Sequence, residues 1–294
     1  MATASDRQES NEARAPERDQ TAARLSGPAG RGRVSLLVLL LCLPLLLYLA
    51  APILGMIPRT TFRSYVCCWQ AESALRLSLF TASISLLISI VIGTPVAYWL
   101  AHYQFRGKDA VDTLIDLPLV LPPVAAGLAL FLLFGMQGFG QLLATHDLRI
   151  TFTRAAVIMA QVFVSSPFYV KQARAGFEAV PRELRLASAT LGAGPLRTFF
   201  RVTVPLASHA LVAGAVMTWA RALGEFGATL MFAGAFPGRT ETMPVAIYSN
   251  FANATSEGLR TSIALAVVLV AVSFLVIILA RRIAGRSIYF APTA

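Results

Sequence analysis

Six stretches of this chain, at about residues 34–57, 74–101, 112–135, 154–177, 203–235 and 257–280, are predominantly apolar over their whole length. A bilayer core about 30 Å thick is crossed by roughly 20 apolar residues in helical conformation. Lipid offers no partner for backbone N–H and C=O groups, so segments of this kind must satisfy them internally as helices. The expected fold is therefore an all-α integral membrane protein with six transmembrane helices. Composition agrees: of 294 residues 56% are hydrophobic and 14% charged, with mean hydropathy +0.66, too little polar surface to coat a soluble domain. The net charge of +10 raises the question of nucleic acid, but the basic residues fall between the apolar runs rather than on one soluble face, so no nucleic-acid partner is expected.

The distribution of those charges sets an orientation. Arg24, Arg31, Arg33, Arg106, Lys108, Lys171, Arg174, Arg182, Arg185, Arg197, Arg201, Arg281, Arg282 and Arg286 lie on the side of both termini; the smaller set Arg59, Arg63, Arg76, Arg149, Arg154, Arg239 and Arg260 lies opposite. Excess Lys and Arg marks the cytoplasmic side, which puts both termini inside. Residues 1–33 carry hardly an aliphatic side chain and are expected to be a disordered cytoplasmic tail. The run after Arg33 is too long for a signal peptide, so it is expected to be a retained helix. Residues 34–282 then form the membrane domain and 283–294 a short cytoplasmic tail.

Little in the chain suggests covalent chemistry. Cys42, Cys67 and Cys68 have neither disulfide nor metal-ligand spacing, and His102, His146 and His209 are scattered. No phosphate loop, nucleophile elbow or His-Glu-x-x-His helix occurs. The chain is expected not to be an enzyme and to hold no cofactor or metal of its own.

Two spans carry breakers where a simple anchor would prefer Leu. The third contains Pro118, Pro122, Pro123 and Gly127, and the second ends at Gly93-Thr94-Pro95. Backbone groups freed by proline must be satisfied by neighbouring helices or a watery cavity. Pro122 and Pro123 either kink a packed helix or help line a path. No internal repeat of the kind that marks many secondary transporters is visible.

The loop at 178–202 is basic and rich in small residues. Pro181 suits the first helical position, Glu183 sits in the first turn, Gly192 is placed to stop the helix, and Pro195 starts a second short helix through Phe199 and Phe200. Leu184, Ala187, Ser188 and Leu191 share one face. Arg182, Arg185, Arg197 and Arg201 flank it with donors suited to carboxylates. Such a segment either rests on anionic headgroups or docks a partner.

A second charged stretch lies within the fifth span, "WARALGEFGATLMFAGAFPGRTETMPVAIYSNF" at 219–251. Arg221 and Glu225 are one helical turn apart, and a charge at mid-membrane costs about 2.5–3.5 kcal/mol on insertion scales, so they should face the interior and pair. Gly224 and Gly227 allow close helix approach, and Thr229 follows on the same stretch. The pair either fixes packing register or, with Gly224, Gly227 and Thr229, lines or gates a route for an anion.

Aligned on Gly192, the loop resembles the cytoplasmic loop of binding-protein-dependent ABC transporter permeases. Their pattern is Glu-Ala-Ala, three residues, Gly, nine residues, Ile, one residue, Leu-Pro. Here Leu186, Ala187 and Ser188 stand at the first three places, then Gly192, Val202, Val204 and Pro205. Leu186 replaces the acid, which removes any salt bridge that the family's carboxylate makes. Arg221 to Thr229, with Pro237-Gly238-Arg239-Thr240 and Met243-Pro244-Val245-Ala246-Ile247-Tyr248, is similar to the molybdate branch of that family.

The resemblance spans about residues 75–282. It implies the MetI-like importer fold with a coupling helix between helices 4 and 5, formed here by Arg182, Glu183, Arg185, Leu186, Ala187, Ser188, Leu191, Gly192 and Arg197, with Pro205 closing the motif. It further implies a homodimer in the bacterial cell membrane, cytoplasmic ATPase subunits that bind ATP and Mg, and an extracytoplasmic molybdate-binding protein. Molybdate, or tungstate, would be the cargo. The alternatives are a sulfate or thiosulfate permease and an ion-coupled secondary transporter.

Overall fold

The computed structural model describes residues 31–59, 69–135, 139–146 and 149–288, and every described regular element is helical. The expected tail up to residue 30, Arg63, Cys67, Cys68 and residues 289–294 lie outside them. The chain divides into two compact units at Ile57 and Pro58. In the first, α1 (Arg31–Met56) contains Pro44 and Pro52, and consecutive residues from Leu40 to Leu49 are exposed on every side. A helix apolar all round is matched to a hydrocarbon surrounding rather than to a water-facing side.

The second unit holds α2 (Trp69–His102), α3 (Lys108–Val120), α4 (Pro123–Phe134), the short α5 (Phe139–Ala144), α6 (Arg154–Glu178), α7 (Arg182–Thr190), α8 (Pro195–Thr198), α9 (Val204–Leu223), α10 (Gly227–Ala233), α11 (Met243–Ala252) and α12 (Ser256–Ile288). A single π turn, Phe199–Thr203, joins α8 to α9. Among the described residues, three helical stretches are long and apolar enough to cross a membrane unaided: 71–102, 195–223 and 256–278. The α3–α4 pair makes a fourth if its two halves count as one span.

Two of the expected spans are not straight rods. The third bends by 113° between α3 and α4. Leu121 and Pro122 leave helical conformation there, with ψ of 132° and 131°, as a residue preceding proline tends to do. The fifth ends as a helix at Leu223, and a break at 224–226 separates it from α10. Helix α12 runs on through residues expected to belong to the C-terminal tail.

Helix α6 is the hub. It is long enough to span, but it carries Gln161, Ser165, Lys171 and Gln172, and it is buried on much of its surface against α2, α9, α10 and α3. One apolar cluster joins Ala126 and Leu130 of α4, Val157 and Val164 of α6 and Phe232 of α10. Another joins Leu100 of α2, Tyr169 and Phe177 of α6 and Ala207 of α9. Ala126, Ala156, Ala160, Ala228 and Ala233 in the first cluster and Ala97, Ala173 and Ala207 in the second let the helices approach closely around these larger side chains.

A polar seam runs through α2. Ser78, Thr81, Ser85 and Ser89 are all buried at helical spacing. Ser85 Oγ donates to Gln161 Oε1 at 3.0 Å, and Ser78 Oγ accepts from the Met243 N–H at 2.7 Å. In the loop 234–242, residues 236–239 are exposed while Thr240, Glu241 and Thr242 are buried, and Arg154 Nη2 donates to the Gly238 carbonyl at 3.3 Å.

Candidate functional site

The basic loop is a helical hairpin. Its first arm, α7, starts at Arg182; Pro181 stands one place before it, as the N-cap residue, rather than at the first helical position. Gly192 ends the arm as expected, at φ +81°. The Gly192 N–H reaches the Ala189 carbonyl at 3.0 Å and the Ala193 N–H the Ser188 carbonyl at 3.1 Å, the paired bonds of a Schellman cap. A Cβ at Gly192 would meet nothing within 4 Å, so the glycine answers to backbone conformation, not to space. Pro195 opens α8, and Ser188 Oγ lies 2.9 Å from Thr198 Oγ1, tying the two arms.

No residue of α7 is buried. Leu184, Leu186, Leu191, Leu196 and Phe200 are exposed, Leu191 to 88%. Arg182, Glu183, Ala187, Gly192 and Arg197 share that exposed hairpin, while Arg185 and Ser188 are half-buried. Pro205 lies beyond the π turn, in the first turn of α9. An apolar tip ringed by arginines, left uncovered by the described residues, is the kind of patch that marks a docking surface. Its base is firmly seated: Tyr98 of α2 packs edge-on against Phe177 of α6 and Phe199 of the π turn, at 5.6 and 5.1 Å between ring centroids.

The charged pair occupies the helix break. Arg221 is in the last turn of α9, Gly224 caps that helix, and Glu225 lies past its end. The i, i+4 pairing expected on a continuous helix is therefore made across a break instead. Arg221 Nη1 is 2.7 Å from Glu225 Oε2, and Glu225 Oε1 accepts from the Ala228 N–H at 2.9 Å, capping α10. Oε2 accepts no aligned hydrogen bond among the described residues, so the ion pair holds by charge rather than by direction. A cation at the end of α9 and a carboxylate at the start of α10 each sit where the helix dipoles favour them.

The two partners differ in access. Glu225 is 1% exposed and the Arg221 side chain 30%. Gly227 packs against α4, where a Cβ would come within 3.0 Å of Pro123 Cβ and 3.1 Å of the Val124 nitrogen. Pro122 and Pro123 thus meet the break in the fifth span at the bend in the third. Thr229 is buried one turn into α10, and its hydroxyl, like those of Thr218 and Thr242 and the Gln161 Nε2, makes no hydrogen bond among the described residues.

The structure therefore assembles two groups: the hairpin residues, and Pro122, Pro123, Arg221, Gly224, Glu225, Gly227 and Thr229 around one break. Sequence reasoning missed Ser85 and Gln161, and it counted Lys171 and Arg174 only as orienting charges. Lys171 Nζ lies 2.9 Å from Asp116 Oδ1, and Arg174 Nη1 2.6 Å from Asp112 Oδ1. The i, i+4 spacing of the two aspartates was the available signal.

Residues 89–288 match the family model described as binding-protein-dependent transport system inner membrane component. A probable molybdenum ABC transporter permease protein of Haloferax volcanii is 38% identical over 269 residues, covering 90% of this chain and 95% of that protein. A molybdate/tungstate transport system permease protein of Pyrococcus furiosus is 39% identical over 213 residues, covering 72% and 78%. Among solved structures, a bacterial ABC transporter involved in the import of the acidic polysaccharide alginate superposes with a TM-score of 0.69 at 18% identity, covering 90% of this chain and 99% of that one. That likeness concerns the fold. With the all-helical bundle and the family match over most of its length, the chain belongs to the binding-protein-dependent transport system inner membrane component family.

Proposed function

We propose that the chain is the membrane-spanning subunit of an ATP-driven importer of molybdate or tungstate. It would have six transmembrane helices, both termini in the cytoplasm, and the hairpin at 178–202 as its coupling helix. In this reading a cytoplasmic ATPase holds ATP and Mg and receives the hairpin in a groove, a second copy of the chain completes the path, and an extracytoplasmic binding protein delivers the anion. The subunit catalyses no covalent step.

The observation that carries the reading is the pairing of an exposed apolar hairpin tip with a guanidinium that is 30% exposed at a helix break. A guanidinium has five N–H donors, and the contact with Glu225 leaves others for the oxygens of a tetrahedral dianion. Glu225, held by Arg221 and the Ala228 N–H, offsets part of the positive charge, so an anion meets attraction without a deep well. Closure of the ATPase pair would pull the hairpins together and swing the helices between inward-open and outward-open states. Molybdate is favoured as cargo by the two relatives, one named for molybdenum and one for molybdate and tungstate, and by the 221–248 stretch.

The test is uptake by proteoliposomes holding the chain with its ATPase and binding protein. ATP-dependent accumulation of labelled molybdate, competed by tungstate and not by sulfate, is the expected result. Accumulation of sulfate unaffected by molybdate would overturn the cargo, and uptake without ATP the mechanism.

A further inference from the structure

Four charges on α3 and α6 sit outside both groups of residues described above. Asp112 and Asp116 are one turn apart on α3, and they face Arg174 and Lys171 of α6 at 2.6 and 2.9 Å. Arg174 Nε also donates to Glu178 at 2.7 Å. Arg174 and Asp112 are each about three-quarters covered, at 27% and 30% side-chain exposure, so water screens this pair less than a surface one. Helix α3 has no buried residue and rests on the bundle through half-buried Val111 and Ile115. Lys171 and Asp116 are more open, at 55% and 39% exposure, so the Arg174–Asp112 pair is the stronger of the two polar ties that join this helix to α6.

What the ladder joins gives it meaning. Arg174 lies one turn before Glu178, the last residue of α6, and the hairpin begins at Arg182. On the other side α3 leads through the 113° bend into α4. The start of α4 presses on Gly227 through Pro123 and Val124, and a Cβ at Gly127 would come within 2.7 Å of the Ala228 backbone. Interfaces this tight are displaced as units rather than compressed. Gly227 stands two places after Glu225, so the start of α4 bears on the break that Arg221 and Glu225 hold together.

The geometry points to Asp112, Asp116, Lys171 and Arg174 as positioning residues that make α3 follow the hairpin and act as a lever on the 224–226 break. This inference rests on the transport reading above. From Asp112 to Leu121 the lever arm is about 14 Å of helix. A shift of the hairpin reaches the end of α6, the ladder carries it to α3, and the bend at Leu121–Pro122 turns it onto Gly227. The direct route along α8, the π turn and α9 ends at the same break from the Arg221 side. The two sides of the gate would then be driven together only while the ladder holds.

The experiment uses the full complex in proteoliposomes, with the double variant Asp112→Asn, Asp116→Asn and the reciprocal swap Asp116→Lys with Lys171→Asp. Complex assembly is read by co-purification, and coupling by anions transported per ATP hydrolysed. The double variant is expected to assemble and hydrolyse ATP while its transport per ATP falls roughly 2- to 30-fold, the range for residues that couple distant sites. The swap is expected to recover coupling relative to Asp116→Lys alone. Spin labels at exposed Ala110 and Ala189 give a readout independent of cargo: one sharp distance through the ATP cycle in the parent chain, a broadened one in the double variant.

Unchanged transport per ATP, or an unchanged label distance, in an assembled double variant overturns the lever, as does a swap no better than its single component. Absence of ATP-driven uptake by the parent complex would instead remove the transport reading and leave the label distances to decide the linkage.

Discussion

Arg221 and Glu225 close a gap between two helices, the guanidinium 2.7 Å from a carboxylate that is itself 1% exposed. The two are unequal in what their loss leaves behind. Arg221→Ala strands a buried carboxylate, a change that typically costs about 3–5 kcal/mol. Glu225→Gln keeps an acceptor for the Ala228 N–H and leaves a guanidinium that is 30% exposed rather than buried. Melting of the purified subunit is expected to fall sharply for the first variant and little for the second, while uptake falls for both. Equal melting losses would mean that the carboxylate is not the dependent partner.

At the meeting of bend and break, Gly227→Ala would push a methyl group to 3.0 Å from Pro123 Cβ. Overpacking of this kind costs about 1–3 kcal/mol. Gly127→Ala points at backbone only 2.7 Å away and is expected to cost more, because a backbone cannot turn aside as a side chain does. Thermal melting of the two variants ranks them; the reverse order would mean that α4 and α10 are free to separate.

Gly192→Ala should act locally. With nothing within 4 Å of the new methyl group, the penalty is the left-handed backbone alone, about 1–2 kcal/mol for a residue with a Cβ. Melting of the membrane bundle is expected to stay near that of the parent, while ATPase co-purification weakens because the α7 cap no longer fixes the hairpin tip.

Leu191→Ser with Leu196→Ser changes two side chains that are 88% and 75% exposed. The bundle loses no buried surface by it. Retained folding with loss of the co-purifying ATPase is the expected outcome; retained co-purification would show that the arginines alone make the contact.

Much of this was legible in the chain because periodicity and capping are local. The Gly192 stop, the Pro195 restart and the α6 boundaries follow from side chains within a turn of where they act. The break at 224–226 was half legible: Gly224, Glu225 and Gly227 were singled out, but an uninterrupted apolar run hid the fact that Glu225 caps a new helix instead of continuing the old one. What could not be read was pairing at long range. Nothing near Asp112 in the chain announces Arg174, and nothing near Ser85 announces Gln161, because those distances are set by how α6 lies among its neighbours. Within the Pro237–Tyr248 stretch nothing local announces that Thr242 and Met243 sit deep against α2, where the Met243 N–H meets the Ser78 hydroxyl.

The row of hydroxyls along α2 also limits how this bundle can deform. Sliding α2 past α6 or α11 by one turn, about 5.4 Å, would pull Ser85 from Gln161 and Ser78 from the Met243 amide. In hydrocarbon each abandoned polar group costs several kcal/mol, with no water to take its place. Those three helices are therefore stitched into one stiff plank, and whatever rocking the molecule performs has to be spent at its hinged margins.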